Sequence, residues 1–437
     1  MSRRVLLSAI ALACAIVSAA APVVHAGAFD VTRVTLRNGL RVVLAPDSTS
    51  TAVDAALWFP AGSRHEKATQ QGLALLAARL AFRAGEDDAL APLTAVGGTG
   101  ALVSTPDYTS FSATVPADAW ERALAFLATR AAVGATRAQD VSAERDAIRA
   151  DRTRLERAPV TEALARLWAT TWPGHPYART GAAPSVGAAN LSASDVDGWR
   201  RSRLGLSNAV LTVVGGFDPD SVLAVVHRRL ESLPRSGSLA NVPLPAPRAP
   251  GRGSERMDLP VRLCLVGWRA PAADDPDAPA LELLASWLGA GSGSRLAGAL
   301  VNDWHVAVDA QAGVVAQQAG SLLWTLAVVA PDADSTAVET TLLDAVRGVT
   351  REAPDAASVE RARRTLMSTM GFALQTARQR GQILGEGEQL VGEGATLRRF
   401  QALHRVTPAD LQRVAARVMT DANRAVLWIV PSDGGAR

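Results

Sequence analysis

The sequence predicts an α+β protein of two homologous domains, each a mostly antiparallel or mixed sheet covered by helices. Three observations support this prediction. The chain has 437 residues, which is more than one typical hydrophobic core organises. A segment rich in proline, glycine and serine lies near its middle, and the parts on either side end with the same order of helix and strand.

The middle segment, residues 232–254, has no apolar periodicity and is interpreted as an interdomain linker. It separates an N-terminal domain over residues 28–231 from a C-terminal domain over residues 255–437. The first domain ends with a helix that begins near Ser192 and a strand over 209–214. The second ends in the same way, with a helix from Thr407 and a strand over 425–430.

Local patterns predict the other elements. Asn38-Gly39 lies between two alternating runs within residues 31–46, which is a strong hairpin signal. In the first domain we also expect strands over 52–59 and 109–115, a helix over 71–82, and helices through much of 118–205. In the second domain we expect strands near 257–268 and 321–329 and long helices near 277–303 and 355–385.

The first 26 residues have the pattern of a signal peptide. Arg3 and Arg4 precede an apolar run over residues 5–21, and Val24-His25-Ala26 is typical of a cleavage site. An uncleaved anchor is the alternative, because the run approaches the length of a membrane span. We expect removal, giving a periplasmic or secreted protein with no membrane span.

Composition and charge argue against a disordered chain and against a nucleic-acid-binding protein. Hydrophobic residues make up 48% of the chain and charged residues 20%, which is typical of a folded globular protein. The net charge is only +3, and basic residues alternate with acids, so a nucleic-acid surface is not expected. Cys264 would be the only cysteine left after signal removal, and its apolar run predicts a small buried side chain.

Several linked motifs carry a family resemblance. They are the runs over residues 36–42, 61–66 and 72–82, then Glu144 to Ile148, His175-Pro176-Tyr177 and residues 208–219. In this order they resemble the pitrilysin/insulinase family of inverted-motif zinc metallopeptidases, which includes mitochondrial processing peptidase. The resemblance covers essentially the whole mature chain.

The resemblance also shows what is missing. Active members carry H-x-x-E-H, in which two histidines one helical turn apart bind zinc and the glutamate activates the bound water. The matching positions here are Leu75, Ala78 and Arg79, which provide neither a zinc ligand nor a base. Glu144, the only retained ligand-like position, matches the family's downstream zinc glutamate, and Asp151 matches a second acidic position. No zinc is expected.

A substrate-binding pair is also absent. The family's second domain supplies an arginine and a tyrosine near the scissile bond, and the matching positions hold Trp304 and Val308. A glycine-rich loop with Gly289, Gly291 and Gly293 precedes them. Non-catalytic subunits of mitochondrial processing peptidase use such a loop to contact substrate, whereas the alternative is a plain interhelix loop.

The resemblance therefore implies an exported non-catalytic subunit that pairs with an active zinc peptidase of the same family and helps to bind or enclose a peptide. Two alternatives stay open. One is a zinc metalloendopeptidase with a non-standard site, although the remaining histidines have no ligand spacing. The other is a structural subunit, like the core subunits of respiratory complexes that share this fold.

Overall fold

A computed structural model describes residues 31–86, 88–132, 134–155, 159–179, 191–237 and 244–432. The predicted signal peptide lies outside these residues. In the described part of the chain, every helix is too short or too polar to traverse a bilayer.

The first sheet has six strands in the order β1-β2-β6-β3-β5-β4. Neighbouring strands are antiparallel except β2 and β6, which are parallel. The strands are β1 (Thr32–Thr35), β2 (Arg41–Pro46), β3 (Ala52–Phe59), β4 (Thr99–Ser104), β5 (Thr109–Pro116) and β6 (Val210–Gly215). The helices of this half are α1 (Leu73–Arg83), α2 (Ala91–Thr94), α3 (Trp120–Ala131), α4 (Ala138–Leu155), α5 (Pro159–Thr171), α6 (Ala193–Arg203) and α7 (Pro219–Val226).

The second sheet repeats this topology. Its order is β7-β11-β8-β10-β9, and only β7 and β11 are parallel. The strands are β7 (Arg252–Met257), β8 (Leu263–Ala270), β9 (Ala307–Val315), β10 (Ser321–Val329) and β11 (Arg424–Pro431). The helices are α8 (Ala278–Gly289), α9 (Ser335–Arg351), α10 (Ala356–Ala373), α11 (Ala377–Leu390), α12 (Ala395–Arg405) and α13 (Pro408–Val418). This order equals β2-β6-β3-β5-β4, so the predicted duplication and the α+β class are confirmed.

Local signals set several of these elements. Gly39 has φ of +93°, as the predicted hairpin requires, and the Asn38 side chain donates to the carbonyl of Leu230 at 2.8 Å. Ser192 and Thr407 both form capping boxes at the starts of α6 and α13. The corresponding sequence predictions are confirmed.

Two helix predictions in the second half are wrong in extent. The helix expected over 277–303 ends at Gly289, and a separate π-helical turn follows over Ala297–Asp303. The helix expected over 355–385 is divided between α10 and α11, because Thr376 caps a new helix by accepting from the amide of Gln379. Strands β4, β7 and β9 and helices α2, α7, α9 and α12 were not predicted, and β7 begins at Arg252, inside the segment predicted to be the linker.

Each half covers the sheet of the other with one helix. Helix α5, from the first half, places Leu167 and Trp168 in a cluster with Leu265 and Leu427 of the second sheet. Helix α11, from the second half, lies on β3 and β6 of the first sheet, with Gly385 directly against the indole of Trp58. This exchange fixes the two halves relative to each other.

A buried polar junction joins the halves at one end. The carboxylate of Asp107 accepts from the hydroxyl of Tyr177 at 2.8 Å and from the amide of Gln318 at 2.8 Å. It also pairs with Arg64 at 3.1 Å. Burial raises the pKa of Asp107, while Arg64 opposes that rise.

Candidate functional site

Helix α1 is the element that would carry a metal in the resembling family. Its alanine- and leucine-rich sequence favours a helix and buries one face in the first core. Gly72 precedes it with φ of +87°, and the buried Glu66 carboxylate accepts from the amides of Gly72 and Ala74 at 3.0 and 2.9 Å. These bonds satisfy amides in the first turn and hold the helix in place.

The three motif positions lie along the part of α1 next to α4. Leu75 packs against the first core and Ala78 is fully buried. Both side chains are hydrocarbons, so neither offers a donor atom. Arg79, one turn after Leu75, has a side chain that is 26% exposed. Its guanidinium reaches across to α4.

Arg79 binds both acids that the family resemblance singles out, Glu144 at the ligand-like position and Asp151 at the second acidic position. Its Nε donates to Glu144, and its Nη1 donates to Asp151 at 2.7 Å. Arg83, one turn further along α1, donates to the second oxygen of Glu144 at 3.3 Å. Burial opposes the charge on Arg79, but the two carboxylates outweigh it and raise its pKa.

These residues do not fit a zinc ion. A tetrahedral site needs three protein ligands with lone pairs, whereas Leu75 has none and Arg79 is a permanent cation. The carboxylate of Glu144, which could serve as a ligand, is already bound by two guanidinium groups. Across the described residues, no group of three or more histidine, cysteine or acidic side chains is arranged to hold a metal.

His65 and His175 each accept a hydrogen bond from a backbone amide. His65 accepts from the amide of Gly62 at 3.1 Å, and His175 accepts from the amide of Tyr177 at 3.1 Å. Burial, followed by nearby arginines, lowers the pKa of each to about 4, so both rings are neutral at pH 7.

Trp304 and Val308 lie on the surface of the second half. Trp304 follows the π-helical turn and its side chain is 69% exposed, while Val308 at the start of β9 is 50% exposed. Between them His305 has φ of +52° and its ring contacts the carbonyl of Val301. An exposed indole and an isopropyl group thus stand at the positions matched to the arginine and tyrosine.

The glycine-rich loop contains two kinds of glycine. Gly289 is buried against β9, and a Cβ there would overlap the backbone at Gln311 and Ala312. Gly291, with φ of +81°, and Gly293 are exposed and have no neighbour within 4 Å of a Cβ position. Gly289 is therefore required for packing, and only the other two are free to contact a ligand.

Sequence reasoning missed the ion-pair cluster and one further carboxylate. Arginines 79 and 83 are spaced i, i+4, and acids 144 and 151 are spaced i, i+7, and this spacing is the available signal for the cluster.

Asp54 lies on β3 beneath α11, is 1% exposed and accepts a hydrogen bond from Thr114 at 2.6 Å. Burial raises its pKa to about 7.

The duplicated fold and the α1–α4 pair define a two-domain peptidase-like chain. The family model described as "Insulinase (Peptidase family M16)" matches residues 41–185, and the model described as "Peptidase M16 inactive domain" matches residues 190–366. Together they cover well over half of the chain. The chain therefore belongs to the insulinase family, peptidase family M16.

Curated relatives have low identity. The zinc protease PqqE of Helicobacter pylori is 25% identical over 63% of this chain and 65% of its own length. A probable mitochondrial-processing peptidase subunit beta of Arabidopsis thaliana is 27% identical over 59% of this chain and 50% of its own length. An uncharacterized zinc protease of Mycobacterium tuberculosis is 24% identical over 91% of this chain and 93% of its own.

Solved structures share the fold over nearly the whole chain. A protease from Helicobacter pylori has a TM-score of 0.81 at 19% identity, covering 92% of this chain and 99% of its own. A peptidase M16 inactive domain from Pseudomonas fluorescens has a TM-score of 0.78 at 17% identity, covering 92% and 98%. These likenesses confirm the predicted architecture.

Proposed function

We propose that this chain is an exported non-catalytic subunit that pairs with an active zinc peptidase of its own family and helps to enclose a peptide. The observation that carries the proposal is the set of ion pairs between α1 and α4. The family fold extends along the chain, yet Arg79 binds Glu144, which matches the family's zinc glutamate, and Asp151, which matches its second acidic position. A chain with this fold and without metal donors at the three motif positions would contribute surface rather than chemistry.

The similar proteins support the pairing. One curated relative is named a subunit of mitochondrial-processing peptidase, and one structural neighbour is a chain of complex III from Candida albicans, with a TM-score of 0.79 at 16% identity. Both names describe members of assemblies. For this chain the partner would be a relative with an intact H-x-x-E-H motif, which supplies the metal and the base.

The substrate-facing surface in this proposal is the exposed part of the glycine-rich loop with the neighbouring Trp304 and Val308. Gly291 and Gly293 present backbone amides and carbonyls without side chains, which suits contact with an extended peptide. The two exposed apolar side chains add contact area. Without an arginine and tyrosine pair, this surface would contact a peptide through backbone groups and apolar side chains.

Co-expression with an active relative tests the assignment. We expect the two chains to co-purify, and the pair to cleave peptides faster than the active subunit alone. Replacing the motif glutamate of the active subunit should abolish cleavage by the pair, which is the control that locates the chemistry. Chelator-sensitive cleavage by this chain alone, or failure to co-purify, would contradict the proposal.

Export is tested separately by fractionating cells that express the full chain and sequencing the N-terminus of the periplasmic product. We expect a start near Gly27, after the cleavage-like triplet. Recovery of the intact N-terminus in the membrane fraction would instead support the uncleaved anchor.

A further inference from the structure

Helix α4 has little apolar surface with which to dock on the first domain. Over residues 138–151, whose side chains the structure describes, only Val141, Glu144 and Ile148 are buried. One of these three is a carboxylate, with a side chain that is 1% exposed. An ionised carboxylate at that depth is costly unless a cation accompanies it.

The cation comes from α1. Arg79 reaches both Glu144 and Asp151, which lie two turns apart on one side of α4. A divalent metal at this place would neutralise the same carboxylate and join the same two helices. The planar guanidinium does so with several directed N–H donors and does not dissociate or lose its charge.

We infer that the Arg79 guanidinium replaces the metal ion as the cation that locks α1 to α4, so that this chain folds without zinc and its cation site is permanently filled. The inference concerns folding and metal content, and it stands or falls independently of the partner role. It also predicts how the site could be emptied and refilled. Removing Arg79 leaves the buried carboxylate of Glu144 with Arg83 as its remaining ion-pair partner, whereas restoring the metal donors creates a place for zinc.

Equilibrium unfolding of the mature chain tests the first part. Arg79→Met should increase the unfolding equilibrium constant by about ten- to a hundredfold, because it leaves the buried Glu144 with only the longer contact from Arg83 at 3.3 Å. Adding Glu144→Gln to that variant should recover about tenfold or more, since the stranded charge is then gone. Arg83→Met is the matched control and should change the constant by less than about fivefold, because Arg83 is 46% exposed.

Metal analysis tests the second part. The wild-type chain should hold no stoichiometric zinc, and its unfolding midpoint should be the same with and without EDTA. Arg79→His alone should also bind none, because one imidazole does not complete a site. The triple variant Leu75→His, Ala78→Glu, Arg79→His should take up about one zinc per chain, with Glu144 released from Arg79 to serve as a ligand, and zinc should raise its unfolding midpoint.

Each part of the inference is contradicted by a different result. A wild-type chain with one tightly held zinc would show that the guanidinium does not fill the site. Equal stability of wild type and Arg79→Met, or no recovery in the double variant with Glu144→Gln, would show that the ion pair does not lock the helices. If Arg79→Met fails to fold, the double variant still decides, because its folding supports the inference and its failure overturns it. A folded triple variant that binds no zinc would show that the carboxylates do not form a cation site.

Discussion

Replacing Asp54 by asparagine should change how the stability of the chain depends on pH. Asp54 lies in the middle of the first sheet and is covered by α11, which approaches so closely at Gly381 that a Cβ there would overlap the carboxylate. Thr114 donates a hydrogen bond to it at 2.6 Å, and Arg378 on α11 provides the nearby positive charge. Burial outweighs both and raises the pKa from 3.8 to about 7.

The sign follows from proton binding. Between pH 3.8 and 7 the folded chain keeps a proton on Asp54 that the unfolded chain releases, so stability falls as pH rises through this window. One group contributes a slope of about 1.4 kcal/mol per pH unit. From pH 5 to pH 8 the wild-type chain should therefore lose about 3 kcal/mol through this group, and above pH 7 the loss is complete.

Asp54→Asn removes that titration and keeps an amide oxygen for the bond from Thr114. Its free energy of unfolding, measured in urea at each pH unit from 5 to 9, should rise relative to wild type by about 3 kcal/mol between pH 5 and pH 8. Asp47→Asn is the matched control. Asp47 also contacts α11, through Arg380 at 2.6 Å, but hydrogen bonds from Thr49 lower its pKa, so its effect should not vary in this range. A difference between Asp54→Asn and wild type that is constant from pH 5 to 8 would refute the reasoning.

Three further predictions concern glycines and the linker. Deleting Gly291 to Gly293 while keeping Gly289 should raise the KM or lower the turnover of the complex with an active subunit and leave co-purification unchanged; unaltered kinetics would exclude a role for the loop. Gly385→Ala should lower stability by about 1–3 kcal/mol, because its methyl group would overlap Trp58. Thermal unfolding measures the effect, and Gly298→Ala is the control because a Cβ at Gly298 has no neighbour within 4 Å. Limited trypsin digestion should cut first in the 232–254 linker, at the exposed Arg235 rather than at Arg252 in β7, and first cleavage inside either half would contradict the linker assignment.

The sequence predicted the elements whose signals are local. Asn38-Gly39 determines a hairpin because glycine readily adopts the positive φ that the turn requires. The repeated helix and strand at the end of each half revealed the duplication, since a capping box and an apolar run each depend on a few adjacent residues. The sequence could not reveal that the predicted helix over 277–303 ends at Gly289. This glycine is required because the helix end lies against Gln311 and Ala312 of β9, over twenty positions further along the chain.

The loss of the metal donors was likewise determined by sequence alone, because Leu75, Ala78 and Arg79 lack ligand atoms in any fold. Only the tertiary structure decided what replaces the metal, since the partners of Arg79 lie on a helix about seventy positions away. It also decided the state of Asp54. Alternation along β3 places Asp54 on the face of Ala56 and Trp58, and whether that face meets water depends on α11, a helix more than three hundred residues further along the chain. Burial by so distant an element raises the pKa of Asp54, and no local pattern encodes that contact.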